Sequence, residues 1–108
     1  MNGVDVPEQL PPGYCLNGRF LIDAELPPQA MGRTYKAKDL ALGEVVAVNV
    51  LGPVHRSAVG RAHFIARFRE AFYAHRGDVY DVGLYCDVPY AVVRYVEGVG
   101  AAVDIGAR

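Results

Sequence analysis

The sequence predicts an α+β fold: a five-stranded antiparallel sheet with one helix packed on a face. Three observations predict it. Alternating apolar and polar residues mark three successive β-runs, a single stretch with helical periodicity follows, and two further β-runs close the order. The 108 residues are enough for one compact domain with one small core.

Taken in order, Met1 to Pro12 holds three prolines and few apolar residues, which predicts an irregular, mobile leader extending over residues 1–15. From Arg19 the side chains alternate, with Phe20, Ile22, Ala24 and Leu26 on one side and Arg19, Asp23 and Glu25 on the other, until Pro27 and Pro28 are expected to stop the strand. A second strand is predicted at Arg33–Asp39, where Tyr35 and Ala37 alternate with Thr34, Lys36 and Lys38. The third, Glu44–Leu51, turns Val46, Val48 and Val50 one way and Val45, Ala47, Asn49 and Leu51 the other.

Gly52-Pro53 breaks that strand, Ser57 is a suitable N-cap and Gly77 a suitable C-cap residue, so Ala58–Arg76 should be helical. At about 100° per residue, Arg61, Phe64, Ile65, Phe68, Ala71, Phe72 and His75 gather on one stripe that can lie on a sheet. Val79–Tyr85 and Tyr90–Val96 then form a hairpin around a turn at Cys86-Asp87-Val88-Pro89. Glu97 to Arg108 is rich in Gly and Ala and has weak structural preference, so residues 99–108 read as a tail behind a domain at 16–98.

Composition narrows the function classes. With 52% apolar residues, 21% charged residues and a net charge of −1, no extended field of one sign is available to steer nucleic acid or an anionic membrane. No apolar run approaches the roughly 18 to 20 residues that cross a bilayer, and Met1 to Gly18 lacks a basic n-region and an apolar h-region, so a cytoplasmic location is expected. Cys15 and Cys86 lack metal-ligand spacing and read as reduced thiols; His55, His63 and His75 are scattered, so no metal centre is expected.

The wording of the segments adds a family resemblance. Leu16-Asn17-Gly18-Arg19-Phe20, Met31-Gly32-Arg33-Thr34-Tyr35-Lys36-Ala37-Lys38-Asp39 and Leu42-Gly43-Glu44-Val45-Val46-Ala47-Val48 resemble the opening, the "M-G-x-V-Y-x-A-x-D" stretch and the approach to the lysine strand of actinobacterial-type Ser/Thr protein kinases. Ala66-Arg67-Phe68-Arg69-Glu70-Ala71, Val79-Tyr80-Asp81-Val82-Gly83 and Pro89-Tyr90-Ala91-Val92-Val93-Arg94-Tyr95-Val96-Glu97-Gly98 continue the likeness in the same order, the last being similar to the fifth strand and hinge. The resemblance implies the N-terminal lobe of a kinase, here degenerate.

It also implies where a nucleotide site would lie, and each part can be tested against the residues. The glycine-rich loop maps onto Pro27, Pro28, Gln29, Ala30, Met31 and Gly32, so only the last glycine of the pattern remains. The lysine of V-A-I-K maps onto Asn49, and Lys36 and Lys38, which could compensate in principle, read more simply as solvated surface. Glu70 is the candidate for the helix glutamate, yet it lies about 200° from Phe68 on the wheel, on the polar side. Leu26, Thr34, Ala47, Arg94 and Val96 complete the vestigial positions, the walls and hinge of an adenine site.

No H-R-D or D-F-G motif is present, and Asp81 and Asp104 stand isolated, so neither a catalytic base nor metal ligands are expected. The chain is therefore expected to be inactive as a kinase and to need no ATP or Mg²⁺. Its expected role is protein docking, on a Ser/Thr kinase or a second copy of itself, through Phe72, Tyr73, Val93 and Tyr95, with Val92 and Val96 beside them. Two alternatives accompany this role: residual weak adenine binding, and the product of a truncated kinase gene.

Overall fold

The computed structural model describes residues 6–29, 32–74 and 77–102. Its elements in chain order are β1 (Cys15–Leu16), β2 (Phe20–Gln29), β3 (Gly32–Asp39), β4 (Glu44–Leu51), a 3₁₀ turn at Pro53–His55, α1 (Ala58–Ala74), β5 (Val79–Tyr85), β6 (Val88–Val96) and β7 (Gly100–Ala101). The sheet is antiparallel in the order β1-β2-β3-β4-β6-β5, with β7 paired to β6. Five of its strands are those expected, and two short strands, β1 and β7, make seven among the described residues.

Alternation along β4 divides the core. Val46, Val48 and Val50 join Leu16, Phe20 and Tyr35 on one face, whereas Ala47 and Leu51 join Phe64, Phe68, Ala71 and Val93 on the other. The helix covers the second face because Phe64 and Phe68 fall one turn apart, their rings 4.8 Å centre to centre. The Ser57 hydroxyl accepts the Gly60 amide at 3.1 Å, which caps α1 where expected. Gly77 has φ +92°, a backbone that favours glycine. His75 and Arg76, the expected helix end, lie outside the described residues.

The sheet curls strongly. Although β3 and β4 separate β2 from β6, the Phe20 ring meets Tyr90 edge-on at 5.8 Å and the Asn17 side-chain amide donates to the Tyr90 hydroxyl at 3.0 Å. Gly83 makes room for this: a Cβ there would stand 2.7 Å from the Tyr90 hydroxyl.

Four expectations need correction. Pro27 and Pro28 do not stop β2; they fall in the register shift between the pairs Leu26↔Thr34 and Gln29↔Gly32, where a missing N–H costs no ladder bond. The hairpin turn is only Cys86-Asp87, both with positive φ (51° and 66°), so Val88 and Pro89 belong to β6. The leader is not wholly loose, because Val6 and Leu10 are buried and the Leu10 amide donates to the Tyr35 hydroxyl at 3.0 Å. The start of the tail is ordered as β7.

Candidate functional site

The face of the sheet that carries α1 also carries the residues of interest. Ala47, Asn49 and Leu51 alternate along β4, and Asn49 pairs in register with Thr34 of β3, as Gly32 does with Leu51. Ala47 and Thr34 are buried, and Asn49 is only 2% exposed. The Asn49 side-chain amide donates to the Thr34 hydroxyl at 3.3 Å, so the position expected to hold a lysine is filled by a neutral cross-strand contact. Gly32 packs so closely on β4 that a Cβ would collide with the Val50 carbonyl oxygen. Ala30 and Met31, the remaining loop positions, lie outside the described residues, as does Asp104.

Two cations sit elsewhere than expected or do other work. Lys36 pairs with Ala47 and is half-buried; its ammonium lies 5.2 Å from the centre of the Tyr95 ring and 3.9 Å from Asp23. It therefore leans on β6 instead of standing free in solvent, whereas Lys38 is exposed. Arg94 uses its guanidinium on Asp78 at 2.7 Å and its amide on the Asp78 carbonyl at 2.8 Å, which ties the end of β6 to the residue before β5. The hydrogen bond to Asp78 raises the Arg94 pKa further, so the side chain stays cationic.

Glu70 is exposed on α1, away from the buried Phe64, Phe68 and Ala71, and enters no ion pair among the described residues. Leu26 and Tyr95 pack against the edge of the helix-side core, so Leu26, Ala47 and the Arg94–Val96 segment do converge. Asp81 lies exposed on β5, and its carboxylate accepts the Val82 amide at 2.9 Å.

The expected docking surface divides. Phe72 (41% exposed) and Tyr73 (68% exposed) form an edge-on pair on the outside of α1, rings 5.5 Å apart. Val93, by contrast, is 0% exposed, and Val92 is buried on the opposite face of β6, so neither offers surface to a partner. Both are central because β6 lies between β4 and β5. Tyr95 and Val96 are half-buried. The residues that sequence reasoning missed are Gly100, Ala101 and Ala102, which fold back along Tyr95 and Val96; their only signal was a run of small residues.

An antiparallel curled sheet with one helix on a face is the architecture that the resemblance to a kinase small lobe implies. No protein-family model matches the chain. Over 104 residues, 90% of its length, the chain is 31% identical to the probable serine/threonine-protein kinase pknA2 of Bifidobacterium longum, of which it covers 14%. Among solved structures, one variant of the Mycobacterium tuberculosis PknI kinase domain superposes with a TM-score of 0.67 at 22% identity, over 83% of this chain and 38% of that one. A second variant gives a TM-score of 0.66 at the same 22% identity, over 82% and 37%.

The solved structures show the fold, and the chain spans only a small part of the curated relative that it resembles. The chain is similar in sequence to part of one bacterial Ser/Thr protein kinase and shares its fold with part of a bacterial kinase domain. No described helix is long and apolar enough to cross a membrane.

Proposed function

We propose that these residues form a kinase small-lobe module that transfers no phosphate on its own and acts in the cytoplasm by docking on another protein, a Ser/Thr kinase or a second copy. The observation that carries the first half is Asn49, buried and bonded to Thr34 where a phosphate-binding lysine would stand. A cationic contact in a partly enclosed site is worth about 1.5–3 kcal/mol, and a neutral amide does not replace it. Pro27 and Pro28 lack two N–H groups that a phosphate-cradling loop would offer. Lys36 is a poor substitute, because its ammonium rests over Tyr95. On this reading neither ATP nor Mg²⁺ is needed for the role.

The docking half rests on Phe72 and Tyr73, an aromatic pair left open on the helix. Sedimentation velocity of the chain alone, and mixed with a bacterial Ser/Thr kinase, tests it. A complex or a dimer that is lost in the Phe72→Ser/Tyr73→Ser double variant is the expected result; a monomer under both conditions argues against docking.

A second reading is favoured by the share of its relatives that the chain spans, 14% of one and about 37% of another: a portion of a longer Ser/Thr kinase whose remaining lobe supplies the chemistry.

A further inference from the structure

The connection from β1 to β2 turns at Asn17-Gly18. Both residues have positive φ, 53° and 66°, and the Arg19 amide donates to the Leu16 carbonyl at 3.0 Å, which together make a type I′ turn. Asparagine and glycine suit this backbone because both tolerate the left-handed region. The two residues are exposed, yet the Asn17 side chain is held: its amide donates to the Tyr90 hydroxyl at 3.0 Å, and Tyr90 is itself buried on β6.

The same dipeptide carries its own chemistry. Glycine places no side chain beside its backbone nitrogen, so the Gly18 nitrogen can attack the side-chain carbonyl carbon of Asn17. A C–N bond forms and closes a succinimide ring, while the side-chain amide nitrogen leaves as ammonia with the proton from Gly18. Water then opens the ring. Breaking the bond to the side-chain carbonyl leaves aspartate; breaking the bond to the main-chain carbonyl leaves isoaspartate, which lengthens the backbone by one carbon. Asn49, by contrast, is buried and is followed by β-branched Val50, which crowds the attacking nitrogen.

Ring closure has a geometric condition: the Gly18 nitrogen must come round to the Cβ side of Asn17. In a type I′ turn ψ at the first central residue is about +30°, which keeps that nitrogen on the side away from Cβ. Swinging the Asn17 side chain onto the backbone also breaks its bond to Tyr90. We infer that Asn17-Gly18 is a site of spontaneous deamidation guarded by the folded sheet, through the turn and through Tyr90, so that it reacts only in molecules whose β1–β2 turn has opened. The observed rate is then the rate of the open chain multiplied by the fraction open. The change runs one way, because an isoaspartate does not fit the two-residue turn. The leader is anchored next to that turn, where Gly13 donates to and Tyr14 accepts from the backbone of Ile22, so it loosens as well. This chemistry holds whether or not the chain docks through Phe72 and Tyr73.

The test incubates the full chain in mildly alkaline buffer, native and unfolded in urea, and follows Asn17 by peptide mass spectrometry, with a protein isoaspartate methyltransferase labelling the isoaspartate product. Conversion should be at least about tenfold slower in the native chain than in urea. Tyr90→Phe removes the acceptor of the Asn17 amide; that variant, if folded by circular dichroism, should convert faster than the native wild type. A native wild-type rate equal to that in urea overturns the inference whatever the variant does. Absence of conversion in urea, or a folded Tyr90→Phe chain that reacts no faster than the wild type, overturns it as well.

Discussion

The Arg19 guanidinium grips Asp39 through two contacts, Nε to Oδ1 at 2.7 Å and Nη2 to Oδ2 at 2.8 Å, and so closes the end of the β2–β3 pair opposite the Gln29↔Gly32 pair. The planar fork matches the carboxylate, and Asp39 also accepts the Ala41 amide at 3.0 Å, which shapes the turn into β4. Asp39 is buried, whereas the Arg19 side chain remains 42% exposed.

This pair sets an acid limit on stability. The hydrogen bond from Arg19 holds the Asp39 carboxyl below its ordinary pKa. A lowered folded-state pKa contributes stability that is fully present above the unfolded value, about 3.9, and is lost as pH falls through the folded value. Urea melts across that acid window should fall more steeply for the wild type than for Asp39→Asn. Parallel profiles would contradict the role given to the pair.

Gly60→Ala runs against helix propensity. Alanine is favoured over glycine in a helix by about 1 kcal/mol, yet a Cβ at Gly60 would collide with the His55 carbonyl oxygen. The substitution should therefore destabilise the chain, read as a lower urea midpoint. A raised midpoint would mean that the 3₁₀ turn before α1 yields freely.

Phe68→Ala should cost about 3–5 kcal/mol, the range for removing a buried aromatic that leaves a cavity. Phe68 is 1% exposed and sits between Phe64 and the sheet. Exposed Phe72→Ala should cost under about 1 kcal/mol by the same denaturation measurement, and equal losses would contradict the assigned packing.

The strand faces and the helix were legible because period-2 and helical alternation are local properties: Val46, Val48 and Val50 against Ala47 and Leu51, and the row of Phe64, Phe68 and Ala71. What escaped was settled by distant partners. Pro27 and Pro28 remain in a strand only because β2 slips its register against β3 there. Val93 reads as possible surface until its place between β4 and β5 is known. Leu10 depends on the Tyr35 hydroxyl, and Ala102 on the Arg94 carbonyl, both far from anything periodicity reports. Within the site, the cross-strand place of Asn49 beside Thr34 follows from strand alternation, whereas the hold of Lys36 on Tyr95 required the curl of the sheet.

Placing a lysine at Asn49 should not create a nucleotide site. In Asn49→Lys an ammonium would enter a position where the native side chain is 2% exposed and bonded to Thr34, with Glu70 turned outward. An uncompensated buried charge costs on the order of 3 kcal/mol. The expected outcome is a less stable chain with no gain in ATP binding by calorimetry; a stable variant with clear ATP affinity would show that Glu70 or another acid can reach Asn49.

The most direct measurement is phosphoryl transfer by the homogeneous 108-residue chain, supplied with Mg²⁺, ATP labelled on its γ-phosphate and a generic protein substrate. On the proposed reading of Asn49, Pro27 and Pro28, label incorporation should equal the blank without protein. Incorporation that rises in proportion to chain concentration and co-purifies with the chain would contradict it.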